Sequence, residues 1–364
     1  MLKLFFLLFL SVISSSFTKT EVSHNNNPNP KKNLIIVAIT NYDWDKVAIF
    51  FNSYVKANFE NTDFVVYVNN MTQATINKIE SCGTIILPFP EQYKKVSIIN
   101  NRWIIYSDYL KKNINKYNLV FTSDTKDLFF QKDLFKYYEN ITKPFLGIAI
   151  EDGFISQSYT NRQWIINAYG EELYNTIKEE RIICVGTVWG TVDKFIEFCD
   201  IMWQKLNSEW SISNNVIEQA VGNFLIYHDK MFNDCIIFSE NRDGPVMTIG
   251  LTNRAFINLD SDNNVLNIKK EVAAVVHQYD RKDDIVQIAI NKYYPEFNQL
   301  KENKKNIWDI IFIFCIGVIV VTSFLWMIYF YRGKTDKGQQ LIYNNNINDI
   351  NDKNGEFKDK IELI

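Results

Sequence analysis

Two acids directly follow an apolar run in the segment Val120–Gln131, and their type and spacing could support metal chemistry. Asp124 and Asp127 stand three positions apart, after a run that ends at Phe121. An apolar run followed by acids is typical of a buried parallel strand whose carboxyl end carries a metal site. Two carboxylates there could hold a divalent cation, which in turn could bind a diphosphate.

His277 is the third candidate metal ligand. The chain has three histidines, and this one ends a predicted strand at the start of a polar run that reaches Arg281. Mg²⁺ and Mn²⁺ prefer oxygen ligands, and Mn²⁺ also accepts imidazole. Each residue has another interpretation: Asp124 could cap a helix, Asp127 could be a solvated acid in a first helical turn, and His277 could be a structural histidine.

Strands and helices alternate ahead of the acid pair, which predicts an α/β fold with a mostly parallel sheet flanked by helices. The predicted strands are Leu34–Thr40, Asp63–Val68, Thr84–Leu87 and Leu119–Ser123, and the predicted helices are Asp43–Asn58, Thr72–Glu80 and Ser97–Ile114. Ligands of such sheets bind at the carboxyl ends of the strands. We therefore expect the residues after the first strand, Asn41 to Asp43, to lie at the same edge as the acid pair.

The second half of the sequence has less regular patterns. The segment Ile182–Thr191 is predicted to form a strand and a turn, in which Gly186 and Gly190 let the backbone approach a ligand. Trp189 could stack on a sugar or pack in the core. The remaining predicted strands are Phe145–Ile150, Ile236–Phe238, Val246–Ile249 and Ala273–Val276, and the remaining helices are Asp193–Asn207 and Asn215–Tyr227.

The apolar segments near the two ends predict a type I membrane protein. Residues 1–16 have a basic start, a short apolar core and small residues, the order typical of a signal peptide. Residues 310–331 are long and apolar enough to span a bilayer, and basic residues follow them. The span could instead be a buried core helix. The predicted organisation is a signal peptide (1–16), a flexible lead-in (17–32), one globular domain (33–290), a juxtamembrane stem (291–309), a transmembrane helix (310–331) and a cytoplasmic tail (332–364).

This topology predicts a lumenal domain in the secretory pathway, in the ER, in the Golgi or at the cell surface. Four of the five cysteines fall in that domain and could form two disulfides or remain buried thiols. Asn70 and Asn140 begin tripeptides that accept glycans. The tail ends in Leu363 and Ile364 after acidic residues, the form of a dileucine sorting signal. A net charge of −3 gives no nucleic-acid footprint.

Five motifs, in this order along residues 33–284, resemble the GT-A fold nucleotide-diphospho-sugar transferases. The resemblance is to a glycosyltransferase branch whose metal motif is Asp-x-Arg-Asp followed by a hydrophobic pair and Gln. The matching segments are Arg102–Leu110, Asp124–Gln131, Val185–Gly190, Glu218–Asn223 and His277–Arg281. The sequence departs from the family pattern at Lys126, where Arg is usual, and at Glu218, where Asp is usual.

The resemblance implies a GT-A (Rossmann-like) domain that transfers a sugar from a nucleotide-diphosphate donor to a glycan, protein or lipid acceptor, with Mn²⁺ or Mg²⁺. Asp124, Asp127 and His277 are then the metal ligands. Glu218 is a candidate base for the acceptor hydroxyl, or an acceptor-binding residue if the enzyme retains configuration, and Asp152 is a second candidate base. The candidate donor-binding residues are Thr40, Asn41, Asp43, Arg102, Lys126, Gly186 and Gly190.

Several alternatives stay open. A catalytically inactive GT-A-like module that binds sugars or recognises a surface would keep the fold without turnover. A type I adhesin of another fold would show repeats and dense cysteines, which this sequence lacks. A phosphatase with an aspartyl nucleophile needs an Asp-x-Asp pair, a spacing that Asp124 and Asp127 do not have. Arg102 could pair with a diphosphate or with Asp124, or lie over the sheet as a surface residue.

Overall fold

The computed structural model describes residues 30–93, 98–209, 218–299, 308 and 311–332. The chain divides into two compact units, the first ending at Tyr294 and the second beginning at Pro295. The predicted signal peptide, nearly all of the lead-in and nearly all of the tail, including the dileucine sequence, lie outside the described residues.

Twelve strands are found among the described residues. In chain order they are β1 (Lys32–Thr40), β2 (Thr62–Asn69), β3 (Ile85–Pro88), β4 (Tyr117–Ser123), β5 (Leu128–Phe130), β6 (Leu146–Phe154), β7 (Arg181–Thr191), β8 (Ile236–Glu240), β9 (Val246–Thr248), β10 (Asn258–Leu259), β11 (Val265–Leu266) and β12 (Val275–His277). The α-helices are α1 (Trp44–Ala57), α2 (Gln73–Ser81), α3 (Ile98–Lys112), α4 (Tyr159–Ile177), α5 (Val192–Glu209), α6 (Glu218–Asn223), α7 (Asp283–Tyr293) and α8 (Ile311–Arg332).

The main sheet has seven strands in the order β3-β2-β1-β4-β7-β6-β8. Its neighbours are parallel except at β7, which runs antiparallel to both β4 and β6. The sheet is therefore mostly parallel and flanked by helices, as the alternating pattern predicts. Its first four strands connect through α1, α2 and α3, the helical crossovers that parallel neighbours require.

Local sequence signals place the first helices close to their predicted bounds. Asp43 and Asn58 flank α1, and Asn58 adopts the left-handed conformation that ends helices. Thr72 precedes α2, and its side-chain oxygen accepts a hydrogen bond from the backbone N–H of Thr75. The Thr72 cap satisfies a backbone group that the helix start leaves free, whereas Asp43 makes no side-chain cap hydrogen bond. The predicted helix starts near Asp43 and Thr72 are confirmed.

The segment predicted as a strand and a turn forms a single long strand, β7, so the predicted turn at Gly186 and Gly190 is wrong. Both glycines lie inside the strand, which pairs with β4 on one side and with β6 on the other. Trp189 is buried there and belongs to the core. Gly190 pairs with Val120 of β4 and Leu146 of β6, and Gly186 lies where the pairing with β6 shifts register. Glycine inside a strand often marks such an irregularity.

A small second sheet, in the order β5-β12-β9, joins distant parts of the chain. In the antiparallel pairing of β5 with β12, His277 lies opposite Leu128. Leu128 directly follows Asp127 in sequence, so this register brings the histidine beside the acid pair. Phe129 and Phe130 of β5 are buried in the core, as expected from the sequence.

Two apolar layers cover the main sheet. One layer packs Trp103 and Tyr106 of α3 with Phe198 of α5, and the other packs Phe50 of α1 with Phe130 of β5. The five cysteines are free thiols, and the structure places no disulfide among them.

Helix α8 is the one helix, among the described residues, that is long and apolar enough to cross a membrane. Its 22 residues, Ile311–Arg332, correspond to the predicted span, and none of its apolar window is buried. A core helix would be covered by other residues, which is not observed for this segment.

Candidate metal centre and two clefts

Asp124, Asp127 and His277 form a cluster at the carboxyl end of β4. One ligand atom from each residue lies within 4.8 Å of the other two. The Nε2 atom of His277 is 3.7 Å from Oδ2 of Asp124 and 3.5 Å from Oδ1 of Asp127. Two carboxylates and an imidazole converging in this way present the donor set that Mn²⁺ accepts.

The sheet register fixes the position of Asp124. Ser123 pairs with Thr187 across β4 and β7, and the next backbone N–H, that of Asp124, donates to the carbonyl of Gly186 at 2.9 Å. A Cβ atom at Gly186 would lie 2.7 Å from Oδ2 of Asp124 and 2.7 Å from Cε1 of His277. Glycine at this position therefore gives the cluster its space.

His277 lies almost completely buried, at 1% exposure, between the acids and Cys184. Its Nδ1 atom is 3.5 Å from Sγ of Cys184, while Nε2 has no hydrogen-bond partner among the described residues. A buried nitrogen without a hydrogen bond is rare in proteins, and here it faces two carboxylates. This orphaned atom fits a site for a divalent cation, which would take Nε2 as a ligand.

The charge of His277 follows from its neighbours. Burial lowers the pKa of its imidazole, but Cys184, Asp127 and Asp124 together raise the pKa well above its ordinary value. A cation at Nε2 must displace the proton there, so cation binding releases a proton and strengthens as pH rises.

Arg102 connects the cluster to the protein interior. Its Nη1 atom donates to Oδ1 of Asp124 at 2.9 Å, and its Nη2 atom donates to Oε1 of Glu218 at 2.8 Å. The second oxygen of Glu218 accepts a hydrogen bond from Nε1 of Trp103 at 3.0 Å. Both oxygens of Glu218 are thus engaged, and the side chain of Arg102 is 6% exposed. Arg102 is therefore a buried bridge between two carboxylates, one of the alternatives that the sequence left open.

The two carboxylates that share Arg102 titrate differently. Burial raises the pKa of Glu218 to about 7; the Arg102 guanidinium opposes this rise and the Asp124 charge adds to it. Burial also raises the pKa of Asp124, but Arg102 and His277 outweigh it and hold that pKa well below its usual range. Asp124 is therefore ionised near neutral pH, whereas Glu218 ionises less readily.

A first cleft of about 330 Å³ opens on the β1 side of the acid pair. Thr40 at the end of β1 and Tyr42 beyond it line this cleft, together with Ile98 and Ile99 at the start of α3. Lys126 lies at its rim, with Nζ 3.4 Å from Oδ2 of Asp280 and half of its side chain exposed. The cleft thus offers an aromatic ring, two apolar side chains and an ammonium group beside the acids.

A second cleft of about 380 Å³ opens on the other side of the same acids. Glu151 of β6, Asn161 and Trp164 of α4, and Gln278 and Arg281 beyond β12 line it. Asp124, Asp127 and Glu218 line both clefts. The candidate metal cluster therefore stands where the two clefts meet.

Five of the predicted donor-binding and catalytic residues line one or both clefts, and a sixth, Gly190, does not. Thr40, Arg102 and Lys126 line the first cleft, Gly186 lines the second, and Glu218 lines both. Gly190 lines neither cleft. A Cβ atom there would lie 2.4 Å from the carbonyl oxygen of Phe145. Its small size serves strand packing.

Three other predicted residues do not line either cleft. Asn41 has a left-handed backbone and accepts a hydrogen bond from the amide of Asn70. Asp43 caps α1 without a side-chain hydrogen bond. Asp152 binds Arg181 at 3.4 Å and Thr252 at 2.8 Å.

Sequence reasoning missed several cleft residues. From the sequence, Asp152 was chosen as a candidate rather than its neighbour Glu151. Likewise, Asn41 and Asp43 were chosen rather than Tyr42, which stands between them. Successive side chains of an extended chain point to opposite sides, so only one residue of each neighbouring pair can face the cleft. The sequence does not indicate which one. Asn161 and Trp164 lie on α4 and carry no signal in the sequence that relates them to the acids.

Comparisons with known proteins give a sparse result. No family model matches the sequence, and no curated protein matches it. Among solved structures, the chain is similar to a crystal structure of an active-site mutant of LgtC, a GT-A glycosyltransferase. The two are 13% identical with a TM-score of 0.43, over 70% of this chain and 95% of that chain. At these values the likeness carries no weight for the site, which rests on the geometry above.

Proposed function

We propose that this protein is a metal-dependent glycosyltransferase that moves a sugar from a nucleotide-diphosphate donor to a glycan, protein or lipid acceptor. One observation carries the proposal: Asp124, Asp127 and the orphaned Nε2 of His277 converge where two clefts meet. Transfer needs this arrangement, because a donor and an acceptor must reach one reaction centre from two directions.

The chain's own residues suit the first cleft to the nucleotide. The ring of Tyr42 and the apolar Ile98 and Ile99 can contact a base, and Lys126 at the rim can contact phosphate oxygens. A divalent cation held by the cluster would supply Lewis-acid stabilisation of the departing diphosphate. Arg102 keeps Asp124 ionised and oriented for that purpose through the 2.9 Å bond.

The second cleft then receives the sugar and the acceptor. Its lining combines carboxylate, amide and guanidinium groups with the indole of Trp164, a set that binds hydroxyl-rich rings through hydrogen bonds and stacking. In this proposal Glu218 orients Arg102, because both of its oxygens are engaged. The apolar helix α8 anchors the enzyme to a membrane, with the domain in the lumen of the secretory pathway.

A donor screen tests the proposal on the full-length protein purified in detergent. Release of nucleoside diphosphate is measured from a panel of UDP- and GDP-linked sugars, with Mn²⁺ or with EDTA. We expect Mn²⁺-dependent release from one donor, its loss in Asp127→Asn, and its retention in the matched control Asp262→Asn, an exposed acid outside both clefts.

Two other outcomes would change the proposal. Nucleotide binding without release from any donor would favour the sugar-recognition module. A wild-type protein that binds neither Mn²⁺ nor any nucleotide would contradict both.

A further inference from the structure

Glu151 is a buried carboxylate in the second cleft that the mechanism above does not use. Its residue is 5% exposed, and it lines the cleft together with Asp124, Asp127 and Gly186. Oε1 accepts a hydrogen bond from Nε2 of Gln278 at 3.2 Å. A carboxylate has about four acceptor positions, so this contact leaves Glu151 able to accept further hydrogen bonds.

The backbone directs this side chain into the cleft. The pairing of β6 with β7 shifts register twice: once between Ile148, opposite Val188, and Ala149, opposite Cys184, and again between Ile150, opposite Ile183, and Phe154, opposite Arg181. At the second shift, three residues of β6 therefore face one residue of β7, which is a bulge, and bulges redirect side chains beside functional sites. Arg181 fixes the bulge by donating to the carbonyl of Glu151 at 2.9 and 3.2 Å.

A second buried polar residue lines the same cleft. Asn161 is 8% exposed, and its Nδ2 atom donates to Oγ of Ser158 at 3.0 Å. Glu151 is an acceptor, so the ligand it suits is a donor of hydrogen bonds, such as a sugar hydroxyl. Trp164 adds an aromatic surface for the ring.

The position of Glu151 indicates whether it contacts the transferred sugar or the acceptor. Gln278, its hydrogen-bond partner, is the residue after His277, and Cys184, which contacts His277, lines the same cleft. A sugar bonded to a diphosphate at the cluster lies directly beside these residues, whereas an acceptor approaches from outside. We propose that Glu151 is a specificity-determining residue, whose carboxylate accepts a hydrogen bond from a hydroxyl of the transferred sugar; this rests on the proposed function.

Binding measurements test this inference without requiring turnover. Affinities for UDP, GDP, UDP-glucose, UDP-galactose and GDP-mannose are measured by calorimetry with Mn²⁺ for full-length wild type, Glu151→Gln and Glu80→Gln. Glu80 is the matched control, since it is an exposed acid on α2 and lines neither cleft. Gln at position 151 is nearly isosteric and can still accept from Gln278, so the fold is retained.

We expect Glu151→Gln to bind UDP and GDP as wild type does, and to lose roughly tenfold in affinity for the preferred nucleotide sugar, because charge-assisted hydrogen bonds are about twice as strong as neutral ones. Glu80→Gln should match wild type for every ligand. Equal affinities of wild type and Glu151→Gln for the preferred nucleotide sugar would overturn the inference and leave the proposed function standing. A wild type that binds none of these nucleotides would overturn the proposed function, and the inference with it.

Discussion

The two clefts share one wall of acids but differ in how the chain builds them. The first cleft takes Thr40 from the end of β1, and Tyr42 and Lys126 from the segments that follow β1 and β4. The second takes Glu151, Asn161 and other polar groups from elements far apart in sequence. Apart from the shared acids and Arg102, the first cleft is lined mainly by apolar side chains with Lys126 at its rim, whereas the second adds the buried polar residues Glu151, Asn161 and Gln278. Buried polar groups discriminate strongly between ligands, so we infer that selectivity resides in the second cleft.

The largest effect on activity that we expect comes from changing an acid that lines both clefts. Asp124→Asn should lower Mn²⁺-dependent donor turnover by roughly 10³-fold, because Lewis-acid stabilisation is worth several kcal/mol. It should also lower the melting temperature by more than Asp127→Asn does, because Asp124 pairs with both Arg102 and His277, whereas Asp127 pairs with His277. Equal melting temperatures for the two variants, measured by circular dichroism, would argue against the Arg102 bridge.

Removing Arg102 should be the most destabilising change that leaves the metal ligands in place. Arg102→Met leaves Glu218 buried without its cation and should lower the free energy of unfolding by about 3–5 kcal/mol. Adding Glu218→Gln should recover part of the loss. Lys111→Met removes an exposed ion pair with Asp200 and should change stability by less than about 1 kcal/mol. Urea unfolding in detergent measures all four proteins.

The raised pKa of Glu218 should make stability fall with pH in the absence of divalent cations. Between pH 4.5 and about 7 the unfolded chain has lost the Glu218 proton and the folded protein retains it. Folding therefore takes up a proton, and its contribution is complete below pH 4.5 and lost as pH rises through about 7. A shift of this size corresponds to about 3 kcal/mol. Glu218→Gln should remove the slope; an unchanged slope would assign it to other groups.

The two glycines of β7 give a paired test of position. Gly186→Ala should weaken Mn²⁺ binding by roughly 10- to 100-fold, equivalent to about 1–3 kcal/mol, because its Cβ would crowd Asp124 and His277. Gly190→Ala should instead lower stability by about 1–3 kcal/mol, since its Cβ would meet a backbone carbonyl of β6. Calorimetry with Mn²⁺ and urea unfolding separate the two effects. A Mn²⁺ site weakened equally in both variants would contradict this division.

The rim of the first cleft should matter least. Lys126→Gln should lower UDP or GDP affinity by less than about fivefold, because a half-exposed ammonium is screened by solvent. Titrations at low and high salt should converge for wild type and variant. A loss of 100-fold or more would place Lys126 in direct contact with the diphosphate.

Much of the fold could be predicted from the sequence. The alternation of apolar runs with helical periodicity predicted the first four strands and their helices, and the Thr72 cap indicated the start of α2. These signals are short-range, because helix and strand periods are set by neighbours in sequence. The acid pair after β4 and the apolar helix α8 could also be predicted, because each is defined by neighbouring residues in the sequence.

Long-range pairing decided the rest. The antiparallel register of β7 made Gly186 part of the site and Gly190 part of the sheet, although both stand in one glycine-rich segment. The bulge in β6 turned Glu151 into the cleft and left Asp152 with Arg181. Neither choice is encoded by residue type or spacing, since a one-residue change of register exchanges the faces of a strand.

By itself, the sequence determined that the domain contains an α/β sheet, that two acids follow one of its strands, and that an apolar helix follows the domain. The tertiary structure decided that Arg102 bridges Asp124 to Glu218, and that Glu151 rather than Asp152 faces the second cleft. The physical reason is that the residues of the site lie far apart in sequence; Asp127 and His277, for example, are 150 residues apart. The pairings of β5 with β12 and of β4 with β7 bring the metal cluster together, and the bulge in β6 places Glu151.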